Sequence, residues 1–431
     1  MTQEERKQRR EQETRNAATV LIGISCIVAA VVLGIVLLLA VFLKKDDKKP
    51  VNSNTEATTA TETETEETEE IETETEEPVI DPQTQQAIAT VSGMTLEQKV
   101  AQMFIITPDA LTGVNGATVT GNTSKNAYEK YPVGGLIYMS KNLTGTEQTK
   151  DMLSKMEEFA KEKTGLSLFM GVDEESGALS RIASNRAFGV AELGKASEIG
   201  AMGDAAKAYE LGSTIGNYLY DLGFNMDFAP VADVLTNSEN VFLKDRSFGS
   251  DSGNVSNMVL SMLQGLEENN IYGVVKHFPG HGSTKADSHD GLATCEKNLE
   301  EMKQEELVPF QNAINNGADF IMVGHITVPN ITGSTLPSSM SEYMITEVLR
   351  NQMGFDGVVI TDAMNMKAIT NQYDSAEAAI TAINAGADII LMPADFKAAY
   401  EGVIEAVKSG TISEETINSA VVRIVKAKQA M

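Results

Sequence analysis

Residues 271–282 read Ile-Tyr-Gly-Val-Val-Lys-His-Phe-Pro-Gly-His-Gly, and the prediction of the fold starts from this stretch. A short apolar run that stops at a Pro-Gly pair is typical of a buried strand that ends abruptly. We therefore expect Lys276, His277 and His281 to lie just past the carboxyl end of a strand.

Asp287-Ser288-His289 follows a few residues later and adds a carboxylate and a third histidine. Histidine has an unperturbed pKa near neutrality, and a carboxylate two residues away can orient its ring and stabilise the protonated form. Asp287 and His289 are therefore a candidate acid/base pair. The rival hypothesis is a zinc site formed with His277 and His281, but no His-Glu-x-x-His helix or cysteine pair accompanies them. We expect no metal and no cofactor.

Similar apolar runs recur along the chain, with helical patterns between them. They predict eight strands, at Met103–Thr107, Gly135–Met139, Ser167–Val172, Asn225–Ala229, Tyr272–His277, Phe320–Val323, Gly357–Thr361 and Ile389–Met392. The runs are continuously apolar rather than alternating, which favours parallel strands covered on both faces. Eight strand–helix units predict an α/β fold of the (β/α)8 TIM-barrel type over residues 91–431, with an open doubly wound sheet as the alternative.

Catalytic groups of such barrels lie at the carboxyl ends of the strands. Titratable residues follow five of the predicted strands there, namely Asp173-Glu174-Glu175, Asp233 with Arg246, the histidine cluster, His325 and Asp362. For Glu174, Asp388 and Asp395 we instead expect a solvated loop charge or a helix cap.

The N-terminal region predicts a single transmembrane helix. Residues 17–43 are apolar apart from Thr19 and Ser25, and a run of this length spans a bilayer. It ends in Phe42-Leu43-Lys44-Lys45 without a small-residue cleavage site, which favours a retained anchor over a signal peptide. A lipid attachment at Cys26 is the less favoured alternative.

The orientation of this anchor is not decided by charge, because five basic residues precede it and four follow it. A short tail of residues 1–16 before a large domain favours a cytoplasmic N-terminus. We expect a single-pass protein of the cell membrane with its catalytic domain extracellular.

Residues 44–90 predict a disordered stalk rich in Thr and Glu. Between residues 55 and 77 lie eleven glutamates and nine threonines, which bury no apolar surface and repel one another. Removing those eleven charges from the net charge of −27 leaves −16 on the rest of the chain. So acidic a protein is not expected to bind nucleic acid. A neutral or cationic small substrate is expected instead.

From roughly Met94 onward the motifs are similar to those of a known family. The matching segments are Met94–Val100, Gly171–Glu175, Arg246–Gly249, Lys276–Gly282 with Asp287–His289, and Val359–Met364. In this order they resemble the β-N-acetylhexosaminidase (β-N-acetylglucosaminidase) branch of glycoside hydrolase family 3. The resemblance implies that residues 91–431 form the N-terminal-type barrel domain of that family.

The resemblance also implies a role for each site residue. Asp362 would be the nucleophile, and His289 paired with Asp287 would replace the usual second carboxylate as acid/base. The sugar hydroxyls and acetamido group would be held by Asp173, Arg181, Arg246, Lys276 and His277. Where the family commonly shows Glu-Gly-Gly-Arg, this chain has Glu175-Ser176-Gly177-Ala178, so sugar contacts near Ser176 and Ala178 are expected to differ.

The expected function is therefore that of a retaining exo-β-N-acetylhexosaminidase, which releases terminal β-linked GlcNAc from glycans or cell-wall fragments such as muropeptides. Three alternatives remain: a phosphorylase that transfers the sugar to phosphate, a non-catalytic wall-binding surface protein, and a zinc hydrolase.

Overall fold

The computed structural model describes residues 80–177, 179–284 and 291–431, and Ile80–Met431 form one compact unit. All eight predicted strands are present in it. The barrel strands are β1 Phe104–Ile106, β2 Gly135–Ile137, β3 Phe169–Val172, β4 Met226–Asp227, β5 Tyr272–Phe278, β6 Phe320–Val323, β7 Val358–Thr361 and β8 Ile390–Leu391.

The eight strands form a nearly closed parallel barrel. Each strand from β1 to β6 pairs in parallel with the next one along the chain, and β8 pairs with β1. Between β7 and β8 the circle is completed by the parallel bridge of Ile360 to Ile389. The barrel prediction is confirmed, and the open doubly wound sheet is excluded because the two edge strands of such a sheet would not meet.

Helices surround the barrel on its outside. They are α1 Pro82–Ser92, α2 Leu96–Gln102, α3 Pro108–Thr112, α4 Asn122–Lys130, α5 Thr146–Thr164, α6 Ala196–Met202, α7 Ala205–Leu222, α8 Ser252–Glu268, α9 Leu299–Gln304, α10 Val308–Asn315, α11 Pro329–Thr332, α12 Lys367–Thr370, α13 Ser375–Asn384, α14 Phe396–Lys408 and α15 Glu414–Gln429. A further helix of π type covers Tyr343–Gln352, and short 3-10 turns cover Ser140–Asn142, Arg186–Phe188 and Ser338–Met340.

Local sequence explains where several helices begin. Thr95 and Gln98 form a capping box at the start of α2, in which each side chain binds the other residue's backbone N–H. Asp251 and Asp395 cap α8 and α14 by accepting backbone N–H groups of the first turn. The expectation of a cap at Asp395 is confirmed.

The helices α7 and α8 touch almost backbone to backbone. A Cβ atom on Gly212 would lie 2.1 Å from the carbonyl oxygen of Met262, and one on Gly265 would lie 2.5 Å from the nitrogen of Ser213. Because α7 follows β3 and α8 follows β4, this close contact fixes two neighbouring units of the barrel against each other. The loops after β3 and β4 carry several site residues.

Two predicted boundaries are corrected by the structure. Helix α1, Pro82–Ser92, begins inside the segment 44–90 that the sequence assigned to a disordered stalk, and Lys426 and Gln429 of α15 bind Asp81 and Thr90. Strand β5 continues to Phe278, so Lys276 and His277 lie inside the strand rather than just past it. A strand can include these polar residues because both side chains find buried polar partners at its carboxyl end.

The other N-terminal predictions lie outside the described residues. They concern the tail 1–16, the anchor 17–43 and the first part of the stalk, 44–79. Within residues 80–431, as far as they are described, no helix is long and apolar enough to cross a bilayer.

Two carboxylates predicted to be solvated are in fact buried. Asp388 has no exposed surface and forms ion pairs with Arg350 and Arg423, both at 2.7 Å. Glu174 is also fully buried, and its carboxylate accepts the N–H groups of Ile182 and Ala183. The sequence did not predict these burials because the partners of Asp388 lie 38 and 35 residues away in the chain.

A lysine is buried near the amino-terminal ends of the barrel strands. Lys428 of α15 is 4% exposed, donates to the Gln102 side chain at 2.8 Å and lies 5.0 Å from the centre of the Phe169 ring. Burial lowers the pKa of Lys428 to about 7, and Glu157 only partly offsets the effect. The unfolded chain holds this proton up to about pH 10.5, so the free energy of unfolding should rise with pH between about 7 and 10.5.

We expect Lys428→Met to be more stable relative to the wild type at pH 6 than at pH 10. The difference between these two pH values should be about 2–4 kcal/mol, because each unit of pKa shift is worth about 1.4 kcal/mol. Contributions of the lysine side chain that do not depend on pH cancel in this difference. The measurement is denaturant unfolding of both proteins at pH 6, 8 and 10. Lys426→Met is the matched control, since Lys426 is partly exposed on the same helix. Parallel stability curves for Lys428→Met and the wild type would contradict the prediction.

Candidate active site

The predicted sugar-binding residues that follow β3, β4 and β5 meet at the carboxyl end of the barrel. Glu175 lies at their centre and is 4% exposed. Its carboxylate receives two N–H groups of Arg246, both at 2.7 Å, and the ammonium group of Lys276 at 2.5 Å. One buried carboxylate therefore neutralises and positions two cations from different strands.

These contacts determine the charge states of the three groups. Burial alone would raise the pKa of Glu175, but Arg246 and Lys276 hold it at about 2. Burial alone would lower the pKa of Lys276, but Glu175 and Asp173 raise it instead. The triad consequently keeps its charges throughout the neutral pH range.

Asp173 connects this triad to Arg181. Its two carboxylate oxygens lie 3.3 Å from Lys276 Nζ and 3.3 Å from Arg181 Nη2. A short antiparallel pair of strands, Glu174–Ser176 and Leu179–Ser180, brings Arg181 back beside Asp173. Four of the five predicted sugar-binding residues thus form one continuous network through Glu175.

His277, the fifth predicted binding residue, is oriented by Asp233. The Asp233 carboxylate accepts the Nδ1–H of His277 at 2.7 Å and the backbone N–H of His281 at 2.6 Å. Burial would raise the pKa of Asp233, but His277 and His281 lower it, so the group is ionised. In the neutral form of the His277 ring, this acceptor keeps the proton on Nδ1, and Nε2 is then the hydrogen-bond acceptor.

Asp362, the predicted nucleophile, directly follows β7. Its backbone N–H donates to Val323 of β6 at 2.9 Å, and one carboxylate oxygen accepts the N–H of Ala363 at 2.7 Å. Burial would raise the pKa of Asp362, but the charges of His325, His277 and Lys276 and this hydrogen bond lower it overall. Asp362 is therefore a carboxylate near neutral pH.

His325 is fully buried behind Asp362, and both of its ring nitrogens are bound. Nε2 donates to the carbonyl oxygen of Ala363 at 3.0 Å, and Nδ1 lies 2.8 Å from the Ser339 hydroxyl. The ring thereby holds the backbone of the residue that follows the predicted nucleophile. Its position after β6 was expected, but this role could not be predicted from the sequence.

Beneath the network lies a second buried acid, Asp227. One of its oxygens accepts the N–H of Glu174 at 2.9 Å. Burial and the nearby Glu174 raise the pKa of Asp227 well above its usual range. This shift favours the uncharged form of the acid below Lys276 and Asp173.

Two arginine nitrogen atoms of the network are buried and have no hydrogen-bond partner among the described residues. They are Nε of Arg181 and Nη1 of Arg246. A buried donor without an acceptor costs about 1–3 kcal/mol, which a polar ligand would recover. The Arg246 guanidinium also lies 4.3 Å from the centre of the Phe242 ring, which limits its freedom to turn away.

The predicted acid/base residues Asp287 and His289 lie outside the described residues. Beside His281, the chain is fixed up to Thr284, whose carbonyl accepts from Asn237 at 3.0 Å. After the gap, Ala293–Thr294 pairs in parallel with Ile326–Thr327.

Lys297 reaches the buried Glu306 carboxylate at 2.5 Å. Thr236, in the loop after β4, donates to the same carboxylate oxygen at 3.2 Å. Glu306 also lies directly below Gly280, where an added Cβ would meet the Cβ of Glu306 at 2.7 Å.

A metal site is not formed by the described part of the chain, which holds no group of three or more His, Cys, Asp or Glu side chains arranged around an ion. His277 and His281 were the candidate ligands there. In both, Nδ1 already has a protein partner, namely Asp233 and Thr284.

The sequence named most of this site but missed two residues. Glu175 was quoted only as part of a motif and Asp233 only as a residue at a strand end, and neither was assigned a role. Their position directly after predicted strands was the available signal. What each carboxylate binds depends on contacts between residues far apart in the chain, from 44 positions for Asp233 and His277 to 71 for Glu175 and Arg246, and farther still for Glu175 and Lys276.

Comparison with known proteins gives a consistent result. A family model described as "Glycosyl hydrolase family 3 N terminal domain" matches residues 95–427. The chain is 32% identical to Beta-hexosaminidase A of Pseudoalteromonas piscicida over 324 residues, which are 69% of this chain and 54% of that protein. It is 34% identical to Beta-hexosaminidase LpqI of Mycobacterium bovis (strain BCG / Pasteur 1173P2) over 272 residues, 61% of this chain and 68% of that protein.

Solved structures show the same similarity. A glycoside hydrolase family 3 beta-N-acetylglucosaminidase from Paenibacillus sp. str. FPU-7 superposes with a TM-score of 0.73 at 35% identity, over 78% of this chain and 62% of that one. The chain thus spans about half the length of the Pseudoalteromonas protein and less than two thirds of the Paenibacillus structure.

We expect Glu175→Gln to weaken both folding and ligand binding. Removing the carboxylate leaves two buried cations uncompensated, which costs about 3–5 kcal/mol of stability. Displacement of Arg246 and Lys276 should lower kcat/KM by about 100-fold, mainly through KM. Thermal unfolding and steady-state kinetics measure the two effects.

Glu174→Gln is the matched control for this prediction, because Glu174 is the neighbouring buried glutamate but contacts neither cation. Burial raises the pKa of Glu174, so an uncharged side chain is tolerated better there. Equal changes in KM for the two variants would contradict the role assigned to Glu175.

Ser176, where the family commonly has glycine, adopts a φ of 102°. Such a left-handed conformation costs a residue with a Cβ about 1–2 kcal/mol. Ser176→Gly should remove this strain but lose about 0.5–1 kcal/mol through the greater freedom of the unfolded chain. We expect a net stabilisation of about 0.5–1 kcal/mol in denaturant unfolding. Ser180→Gly, in the extended partner strand, is the control and should be less stable than the wild type. A Ser176→Gly variant that is less stable than Ser180→Gly would contradict the proposed strain at Ser176.

Proposed function

Because the chain belongs to glycoside hydrolase family 3, in the branch of the β-hexosaminidases, we propose that it is a retaining exo-β-N-acetylhexosaminidase. Its substrate is terminal β-linked GlcNAc on glycans or cell-wall fragments, including muropeptides. The observation that carries the proposal is the ionised Asp362 at the carboxyl end of β7, beside a network of Lys276, Arg246 and His277 suited to a polar sugar.

The proposed first step is attack of Asp362 on the anomeric carbon. A retaining glycosidase needs an ionised carboxylate there, and the lowered pKa of Asp362 supplies it at neutral pH. One oxygen already accepts the Ala363 N–H, so the other is available for the new C–O bond. The glycosidic C–O bond breaks, and the leaving oxygen takes a proton from the acid/base group.

We assign that acid/base role to His289, with Asp287 as its partner. In the first step the protonated imidazole gives its proton to the leaving oxygen. In the second it removes a proton from water, which attacks the glycosyl-aspartate and frees the sugar and Asp362. A histidine suits this role because its pKa lies near the working pH.

The sugar itself is proposed to bind the charged network. Arg246 and Arg181 each have a buried N–H group with no acceptor in the part of the chain that the structure describes, and sugar hydroxyl or acetamido oxygens would satisfy them. His277 presents Nε2 as an acceptor for a sugar hydroxyl because Asp233 occupies the other nitrogen. Donors and acceptors fixed in advance bind an uncharged ligand with little loss of side-chain entropy.

We further propose that residues 17–43 anchor the protein in the cell membrane as a single span and that the catalytic domain is extracellular. The support is the length of this apolar run and the Thr/Glu-rich segment that follows it. The substrate would then be glycan outside the cytoplasm.

The decisive experiment is hydrolysis by the full-length chain of a chromogenic β-GlcNAc glycoside and of N,N′-diacetylchitobiose. Asp362→Asn should lose activity on both by about 1,000-fold or more, because it lacks the nucleophile. His289→Ala should lose about 100-fold or more on chitobiose but much less on the chromogenic substrate, whose leaving group needs little protonation. NMR of the first product should show the β-anomer.

Asp395→Asn is the matched control, because Asp395 only caps α14 and asparagine caps equally well. Release of sugar 1-phosphate in phosphate buffer would replace hydrolysis by phosphorolysis. Loss of activity with EDTA would favour a zinc hydrolase. Absence of any product, with or without phosphate, would point to a wall-binding role.

A further inference from the structure

A groove of about 550 Å³ lies between helix α7 and the chain at Val190-Ala191. Its lining residues are all distinct from those of the ion-pair network. Cavities of roughly 300–1,000 Å³ are typical of small-ligand sites. The proposed mechanism does not use this groove. What it binds is therefore inferred from the chemistry of its own lining.

One face of α7 supplies most of the lining in two adjacent rows. Residues four apart in a helix lie one above the other, and both rows follow this spacing. The first row is Tyr209, Ser213 and Asn217, and the second is Glu210, Thr214 and Tyr218. The groove therefore combines two aromatic rings with two hydroxyls, a carboxamide and a carboxylate.

Both tyrosine rings are held in place through their hydroxyl groups. The Tyr218 hydroxyl donates to Glu174 at 2.7 Å, and the Tyr209 hydroxyl donates to Glu268 of α8. Each ring lies partly buried between the helix and its anchor, so its orientation is fixed before any ligand arrives. Rigid tyrosines give contact area at a low cost in conformational entropy.

The charge of the groove disfavours ionic ligands. Among the described residues, no lysine or arginine lines the groove, so an anion has no cationic partner in its lining. The single carboxylate, Glu210, already pairs with Lys207 at 2.8 Å, which removes the uncompensated charge that an ammonium ligand would need. Uncharged polar groups remain, namely Ser213, Thr214 and the exposed Asn217.

We propose that this groove is a second binding site, for a neutral pyranoside of one or two sugar units. The C–H faces of a pyranose pack on aromatic rings, while its hydroxyls exchange hydrogen bonds with amides and hydroxyls. The site adjoins the active site through the Glu174–Ser176 strand, since Tyr218 holds Glu174 and Glu175 follows it. A glycan bound there would be retained close to the catalytic face.

The absence of tryptophan from the sequence allows a local optical test. Tyr209→Trp in the full-length chain places the only indole in the groove while keeping an aromatic ring there. The background variant is Asp362→Asn, so that the sugar is not consumed. We expect a saturable change of tryptophan fluorescence with N,N′-diacetylchitobiose or maltose, half complete at about 1–10 mM, as for a small solvent-facing ligand.

Two further variants make this result specific. Tyr220→Trp is the matched reporter on the same helix, where Tyr220 is 57% exposed and does not line the groove. It should show no saturable change. Thr214→Arg, added to the Tyr209→Trp reporter, fills the groove and should weaken binding at least tenfold. If the Thr214→Arg variant unfolds at a lower temperature than its parent, Asn217→Ala is used in its place.

Three outcomes would overturn the proposal. They are no saturable change with either disaccharide, an equal change in the Tyr220→Trp reporter, and undiminished binding after groove filling in a folded protein. The result does not depend on catalysis, because a protein inactive on every β-GlcNAc substrate can still bind maltose in this groove.

Discussion

The site depends on one carboxylate that is shared by two buried cations. Glu175 binds Arg246 from the loop after β4 and Lys276 from the end of β5, and it follows β3 itself. Three neighbouring barrel units are thus joined at one point. The arrangement also explains how lysine and arginine remain charged with little exposed surface, since each has a carboxylate within hydrogen-bond distance. Asp173 then extends the same network to Arg181.

A second group of contacts fixes the histidine side of the site. Asp233 binds His277 through its ring and His281 through its backbone, while His325 holds the carbonyl of the residue after Asp362. Catalysis of the proposed kind requires an ionised nucleophile beside an uncharged substrate. Two of the groups that lower the pKa of Asp362, His277 and Lys276, also belong to the sugar-binding network, so the charge state of the nucleophile is linked to the groups proposed to bind the sugar.

The barrel could be predicted from the sequence because its strands are buried on both faces and therefore appear as continuous apolar runs. The site's location followed from the fold, since Asp173, Lys276 and Asp362 each lie at a strand's carboxyl end. The pairings were not predictable. Whether a carboxylate faces a cation, as Glu175 and Asp388 do, depends on residues brought together only by the closed barrel. Helix α1 was missed because only a few of its eleven residues are apolar and it becomes stable by packing against α15.

The beginning and the end of the globular unit lie side by side. Asp81 before α1 binds Lys426 near the C-terminus, and Thr90 binds Gln429. The first and the last βα unit are therefore neighbours in the barrel, and the two chain ends that belong to them are also close together. A short peptide could join residue 431 to residue 80, and new ends could be opened in an exposed loop without separating any pair of neighbouring strands. The fold therefore requires a particular order of the eight units around the barrel, but it does not require that the chain start with any particular one of them.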